Sequence, residues 1–259
     1  MLRKRIIFTL IFSEGYFMQS RNFRLQKVGN SDWLEKNYKF QEIAYSLDEL
    51  ILLDATREKK NIFNFCEVLK KIVGSVFIPI AAGGGINSLE DADLLFKNGA
   101  DKLVLNSNIY NNVSLVNELA YKYGNQSIVA SVDYKKINNE NIVFINDGSK
   151  SLDISLNEYV SYLSTLNIGE IYLNSMDKDG TGFGFDFETI DAVSKNIKIP
   201  LIIAGGAGNE SHLIEGLRRD KVNAVATANL FNFMGNGLPN ARKKIITEGL
   251  NIANWYADS

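Results

Sequence analysis

One cysteine, one histidine and three prolines are spread over 259 residues, and each scarcity removes a class of protein. A lone cysteine closes no internal disulfide, so Cys66 points to a reducing cytoplasm rather than a disulfide-built secreted domain. The only histidine, His212, lies far from it in sequence, and Cys66 reads as a small apolar residue on a helix rather than a nucleophile. One His, one Cys and no tightly spaced ligand set give no metal site and no cofactor to expect. A net charge of −2 leaves no basic footprint for nucleic acid. No apolar run approaches the ~20 residues of a membrane span, and the basic start Met1 to Arg5 leads into RIIFTLIF, too short for a signal peptide. No Pro/Ser-rich linker divides the chain, which is expected to form one domain over residues 1–259.

What is present is a repeat. VFIPIAAGGGIN (Val76 to Asn87) and IKIPLIIAGGAGN (Ile197 to Asn209) are apolar, β-branched runs that end in consecutive glycines and give way to a helical pattern. Pro79 and Pro200, and the pairs Gly84-Gly85 and Gly205-Gly206, share an offset of about 121 positions, as do DELILLD with GEIYLNS and GADKLVLNS with KVNAVATAN. Two fused half-domains follow, roughly 1–123 and 124–259. Glycines at the carboxyl end of a strand bare main-chain N–H groups to an anion, and a following helix start adds partial positive charge, so the two ends suggest two phosphate grips.

Strand-like runs fall at Arg5–Ile11, Glu49–Leu53, Val76–Ala81, Lys102–Leu105, Ser127–Val132, Glu170–Leu173, Ile199–Ile203 and Asn223–Ala226. Amphipathic helical stretches such as Leu89–Lys97, Val113–Tyr123 and Ser155–Leu166 lie between them. Eight alternating strands and about 250 residues predict a single α/β (β/α)8 TIM barrel. A doubly wound open sheet is the competitor, and four plus four strands favour closure. The connection Phe12 to Ser31 is long enough to be a lid, and Asn138 to Asp153 is expected to carry a hairpin around Asn146-Asp147-Gly148.

Working groups in such barrels sit at the carboxyl ends of strands. Asp133 and Asp179 are the plausible acid/base pair there, although Asp also caps helices and forms turns. Asn106 and Ser107 read as caps that could also serve a phosphate. Together with Gly180, Ala228, Asn229 and the glycine pairs, they make up the candidate phosphate contacts. A serine nucleophile is unsupported, since no histidine stands at a strand end. Arg5, Glu49, Lys102 and Glu170 stand at the starts of strands one, two, four and six. Either they are solvated flanking charges or, alternating in sign, they form a ring of ion pairs around the axis.

KRIIFTL, DELILLDATRE, FIPIAAGGGI, GADKLVLNS, SIVASVDYKK, GEIYLNSMDKDGTGFGFD and PLIIAGGAGN together resemble one family over nearly the whole chain: HisF, the cyclase subunit of imidazole glycerol phosphate synthase. The resemblance implies a ribulose-phosphate-binding type of barrel, a phosphorylated small-molecule ligand and a heterodimer with a HisH-type glutaminase. Ammonia from that partner would enter at the barrel base, cross the core and react at the top. Arg5, Glu49, Lys102 and Glu170 match the family's entry gate, and Asp101 matches a position on its docking face. Departures accompany the match. Of the two family aspartates, one aligns with Asp133 and the other with Ile11; a lysine aligns with Gln19, a threonine with Asn174, and phosphate-grip serines with Ala204 and Asn229. Ile11, VGNSDW and LLDATREKKNIFNF resemble a side branch from bacterial surface-polysaccharide pathways. That branch implies ammonia supply to an ATP-dependent amidotransferase that converts a sugar acetamido group into an acetamidino group. The alternative is a true cyclase using Asp133 and a replacement acid such as Asp179. A HisA-type isomerase has no use for the gate.

Overall fold

The computed structural model describes residues 3–38 and 43–254; residues 1–2, 39–42 and 255–259 of the expected domain lie outside the described residues. In chain order the strands are β1 (Arg5–Ser13), β2 (Tyr16–Arg21), β3 (Arg24–Gly29), β4 (Glu49–Asp54), β5 (Ile80–Gly83) and β6 (Lys102–Leu105), then β7 (Ile128–Ile137), β8 (Glu140–Ile145), β9 (Lys150–Ser155), β10 (Glu170–Ser175), β11 (Leu201–Ala204) and β12 (Val222–Thr227). The helices are α1 (Ser31–Tyr38), α2 (Ile62–Val73), α3 (Leu89–Lys97), α4 (Ser107–Asn111), α5 (Val113–Tyr123), α6 (Leu156–Leu163), α7 (Phe187–Val193), α8 (Glu210–Leu217) and α9 (Gly237–Thr247). Parallel pairing runs β10-β11-β12-β1-β4-β5-β6-β7 and closes through β7 with β10, which makes the eight-stranded (β/α)8 TIM barrel. Among the described residues no helix is long and apolar enough to cross a membrane.

Successive side chains on a strand point to opposite faces, and that alternation sorts the core into two. Ile6, Phe8, Leu10, Leu50, Leu52 and Leu103 face outward into the layer shared with the helices, where Cys66 is also buried. Ile7, Ile51, Ala81, Val104, Val129, Tyr172, Ile202 and Ala224 pack together inside the barrel. α6 shows how a sequence signal positions a helix: the Ser155 Oγ accepts from the Glu158 N–H at 3.3 Å, and the Glu158 carboxylate accepts from the Ser155 N–H at 3.1 Å. Ser155→Ala is expected to cost about 1 kcal/mol in urea unfolding, the usual loss of a capping hydroxyl.

The expected starts of two strands need correction. β5 begins at Ile80 and β11 at Leu201, not at Val76 and Ile199, because Pro79 and Pro200 have no N–H to donate to a ladder. The long Phe12–Ser31 connection is an antiparallel hairpin instead of an irregular loop: β1 runs to Ser13, and β2 and β3 fold back on it. The segment after the fifth barrel strand holds two hairpins. β7 itself continues to Ile137 and turns at Asn138-Asn139, with φ of 49° and 67°. Two successive positive φ values are what a two-residue turn matched to strand twist requires, and asparagine tolerates them. The expected turn at Asn146-Asp147-Gly148 then joins β8 to β9.

Candidate functional site

At the barrel base the four charges form a closed ring. Arg5 reaches Glu49 and Glu170 at 2.8 Å each, and Lys102 reaches the same two carboxylates at 3.0 and 3.2 Å. Strand alternation brings them together: Arg5 shares an inward face with Ile7, Glu49 with Ile51, Lys102 with Val104 and Glu170 with Tyr172. Burial works against the Arg5 charge, but Glu170 and Glu49 outweigh it and hold the guanidinium above its ordinary range. Burial pushes the Glu49 carboxyl up, against the pull of Lys102 and Arg5. Asp101 is exposed beside this ring, with one carboxylate oxygen accepting from the Ile80 N–H at 2.8 Å.

Above the ring lies the apolar layer that contains Tyr172, whose hydroxyl pairs with Thr9 Oγ1 at 3.2 Å inside the barrel. Above that, the carboxyl ends of the strands open into a cleft of about 690 Å3 whose floor includes Tyr172, Val104, Leu53 and Ile11. Asp133 stands in it. Its carboxylate accepts from Asn174 Nδ2 at 3.0 Å and from Asn106 Nδ2 at 3.2 Å. Burial pushes its pKa up to about 7, with the Asn174 hydrogen bond opposing and the charges of Asp147 and Asp179 assisting. A carboxyl so placed changes protonation near neutral pH, as a general acid or base requires.

Asp179 lines the same cleft. Its Oδ2 accepts from the Ser20 hydroxyl at 2.5 Å and the Phe23 N–H at 3.0 Å, and its carbonyl accepts from Asn22 N. It therefore pins the β2–β3 hairpin over the barrel mouth; burial raises its pKa. Asn106 occupies the N-cap position of α4 without capping it: its Nδ2 donates to Asp133 and the Ser131 carbonyl, and its Oδ1 accepts from the Ser107 hydroxyl at 3.3 Å. Ser107 Oγ accepts from Asn146 N at 3.0 Å, which ties the β8–β9 turn to the first grip. Ile11 lines the cleft near the ring of polar groups.

The first glycine pair, Gly84-Gly85, borders the large cleft with Asn106 and Ser107. The second pair, with Gly180, Ala228, Asn229 and Gln19, borders a smaller space of about 50 Å3 that adjoins the cleft, since Ile11, Leu53, Tyr172, Asn174 and Asp179 line both. His212 is away from both acids, its Nδ1 accepting from Gly208 N at 3.1 Å. Sequence reasoning missed Lys60, which reaches across Gly85 and donates to the Asp54 carbonyl at 2.7 Å. The readable signal was its place in the loop after one barrel strand, facing the glycine end of the next. Tyr172 was also missed, though counting alternate residues from Glu170 puts it on the axis.

Residues 7–236 match the family model described as histidine biosynthesis protein. The chain is 41% identical over 256 residues to a protein of Parasynechococcus marenigrum carrying the provisional name imidazole glycerol phosphate synthase subunit hisF2, covering 98% of this chain and 95% of that one. It is 35% identical over 252 residues to the imidazole glycerol phosphate synthase subunit HisF of Chlorobium phaeovibrioides, and 33% to that of Chlorobaculum tepidum, with 97% of this chain and 99% of each relative covered.

Proposed function

The chain belongs to the HisF family of histidine biosynthesis proteins, and from that premise we propose that it is the ammonia-receiving barrel of a glutamine amidotransferase, paired with a HisH-type glutaminase docked at its base near Asp101. The observation that carries this reading is the stacking along the axis: a closed four-charge ring, an apolar layer, then a polar cleft. Ammonia is useful as a nucleophile only while unprotonated, and a passage lined by Ile7, Ile51, Ala81, Val129 and Ile202 excludes the water that would protonate or dilute it. The chain acts as one barrel of two half-barrels, each of whose first strands, β1 and β7, carries an antiparallel extension.

The acceptor in this reading is a surface-polysaccharide sugar whose acetamido group becomes an acetamidino group, with an ATP-dependent amidotransferase as the third component. Ile11 supports it, since an apolar side chain in the cleft moves no proton and leaves Asp133 without the family's second aspartate. Incubated with ammonium salts and the phosphorylated aminoimidazole-ribonucleotide precursor, the purified protein should form no imidazole product. Turnover near the rate of a histidine-pathway cyclase would replace this reading with the second one, a true imidazole glycerol phosphate synthase cyclase subunit. That second reading is favoured by one observation, the Asp133 carboxyl poised at about 7 in a cleft large enough for a substrate.

Ile11→Asp alone should recover little cyclisation. Gln19 is already committed, its Nε2 to the Ser20 carbonyl at 3.2 Å and its Oε1 to the Leu230 N–H at 2.9 Å, so the rest of the constellation does not return with one carboxylate. A gain of roughly 10²-fold from that single change, in a discontinuous product assay, would contradict this, since one proton-transfer group contributes about 10²–10⁴.

A further inference from the structure

Tyr172 and Thr9 belong to strands that are not neighbours. The order β10-β11-β12-β1 puts two strands between them, and three strand steps of about 4.8 Å make about 14 Å along the wall. The two hydroxyls nevertheless lie 3.2 Å apart. The bond therefore runs through the barrel interior as a crossbar. The strands it passes, β11 and β12, present Ile202, Ala204, Ala224 and Ala226 to that interior, and the three methyl side chains leave a phenol ring room to cross. Both ends are buried, Tyr172 at 4% and Thr9 at 2% exposed.

The crossbar separates two environments. The paired residues of β10 and β7 climb from Glu170 with Val129, through Tyr172 with Ser131, to Asn174 with Asp133. Val129 belongs to the apolar layer, whereas Asn174 and Asp133 line the open cleft. A gap at the level of Tyr172 would join that layer to the water of the cleft, and ammonia crossing it would lose the protection of a dry passage. Tyr172 also borders the smaller space of about 50 Å3, whose walls include Ala204, Ala207, Ala226 and Ala228, so the ring has somewhere to tip. Among the described residues Thr9 is the one hydrogen-bond partner of its hydroxyl, a latch worth a factor of about ten or less. Burial pushes the phenol above its ordinary range, against the Thr9 hydrogen bond and with the charges of Asp133 and Asp179 assisting. It is a neutral hydroxyl, able to bond ammonia without protonating it.

We propose that Tyr172 is a second gate, at the upper end of the ammonia passage: latched to Thr9 it seals the apolar layer from the cleft, and it opens when the ring tips towards the alanine-lined space. The proposal rests on the reading of the axis as that passage, and it adds a closure above to the four-charge ring below. Thiol labelling of the isolated chain tests it. Val129→Cys puts a thiol one layer beneath the crossbar, with the ion-pair ring closing the way in from the base. Methyl methanethiosulfonate, small and neutral, then reaches it from the cleft only past Tyr172. Cys66, buried in the helix layer, is the internal reference for global opening. In this background Thr9→Val, which deletes the hydroxyl and little else, should raise the labelling rate at position 129 about three- to tenfold relative to Cys66, the factor one hydrogen bond supplies. Tyr172→Phe should do the same, and Tyr172→Ala should exceed both. A rate raised by Tyr172→Ala alone would make the ring a fixed plug, and equal rates in all variants would make the bond a packing contact. Either result overturns the gate, as does labelling of Cys66 in step with position 129. No glutaminase enters the labelling. Loss of glutamine-dependent transfer beside the expected labelling would count against the ammonia reading alone, and full transfer without a labelling response would count against the gate alone.

Discussion

Lys102→Met is expected to lower unfolding stability by about 3 kcal/mol at pH 8 and to uncouple glutamine hydrolysis from amidination. Methionine keeps the apolar stem and deletes the charge, so the loss reports the ion pairs rather than packing. Glu49 is 2% exposed and is held by Lys102 at 3.0 Å and Arg5 at 2.8 Å. Removing one partner of a buried pair costs about 3–5 kcal/mol because the other charge stays desolvated, and Arg5 remains to offset part of that. Burial already raises Glu49 above its ordinary range, and without Lys102 it rises further. The carboxyl then takes up a proton in the folded state as pH falls, so the stability deficit should shrink from pH 8 towards pH 5 in urea titrations. A pH-independent deficit, or none, would reduce the ring to surface charge. With a glutaminase present, an open base should let ammonia escape: glutamine-dependent transfer falls while transfer from added ammonium salts is unchanged.

From the residues alone that ring was one of two readings of four charges at strand starts, because closure needs all eight strands and their alternation to point the side chains at one another. The barrel itself was more legible. Each strand carries its own apolar run and each half repeats the other, so β6 and helices α3 and α5 fall where the pattern puts them. The β2–β3 hairpin was hidden for a physical reason. RLQKVG is exposed or half-exposed along its length, YFMQSR buries only Phe17 and Ser20, and their turn at Asn22-Phe23 adopts positive φ without a glycine to announce it. Asp133 was legible as the acid at a strand end, whereas Lys60 was not, since a lysine in a charged loop looks solvated until the glycine it crosses is in place. Gln19 carries no periodic signature at all; its clamp on Leu230 joins positions 211 apart in sequence.

Asp133→Asn should stabilise the fold at pH 8 by about 2 kcal/mol and leave it unchanged near pH 4. The carboxyl is held at about 7 in the folded chain by burial, against about 3.9 when unfolded. Below the unfolded value both states are protonated and burial carries no charge penalty. Between the two values the folded chain keeps a proton the unfolded chain has released, so stability falls as pH rises. Above about 7 the charge is buried in full, an upper bound of about 4 kcal/mol at 1.36 kcal/mol per unit. Asparagine recovers only part of this, because Asn174 and Asn106 both donate to position 133 and an amide can accept only through its oxygen. The same variant separates the two functional readings. A cyclase that relies on Asp133 loses about 10²–10⁴ in rate, and its parent activity follows pH through about 7. A chain that only conducts ammonia keeps glutamine-dependent transfer to an external acceptor, since the groups below Asp133, Tyr172 with Thr9 and the apolar layer, are untouched.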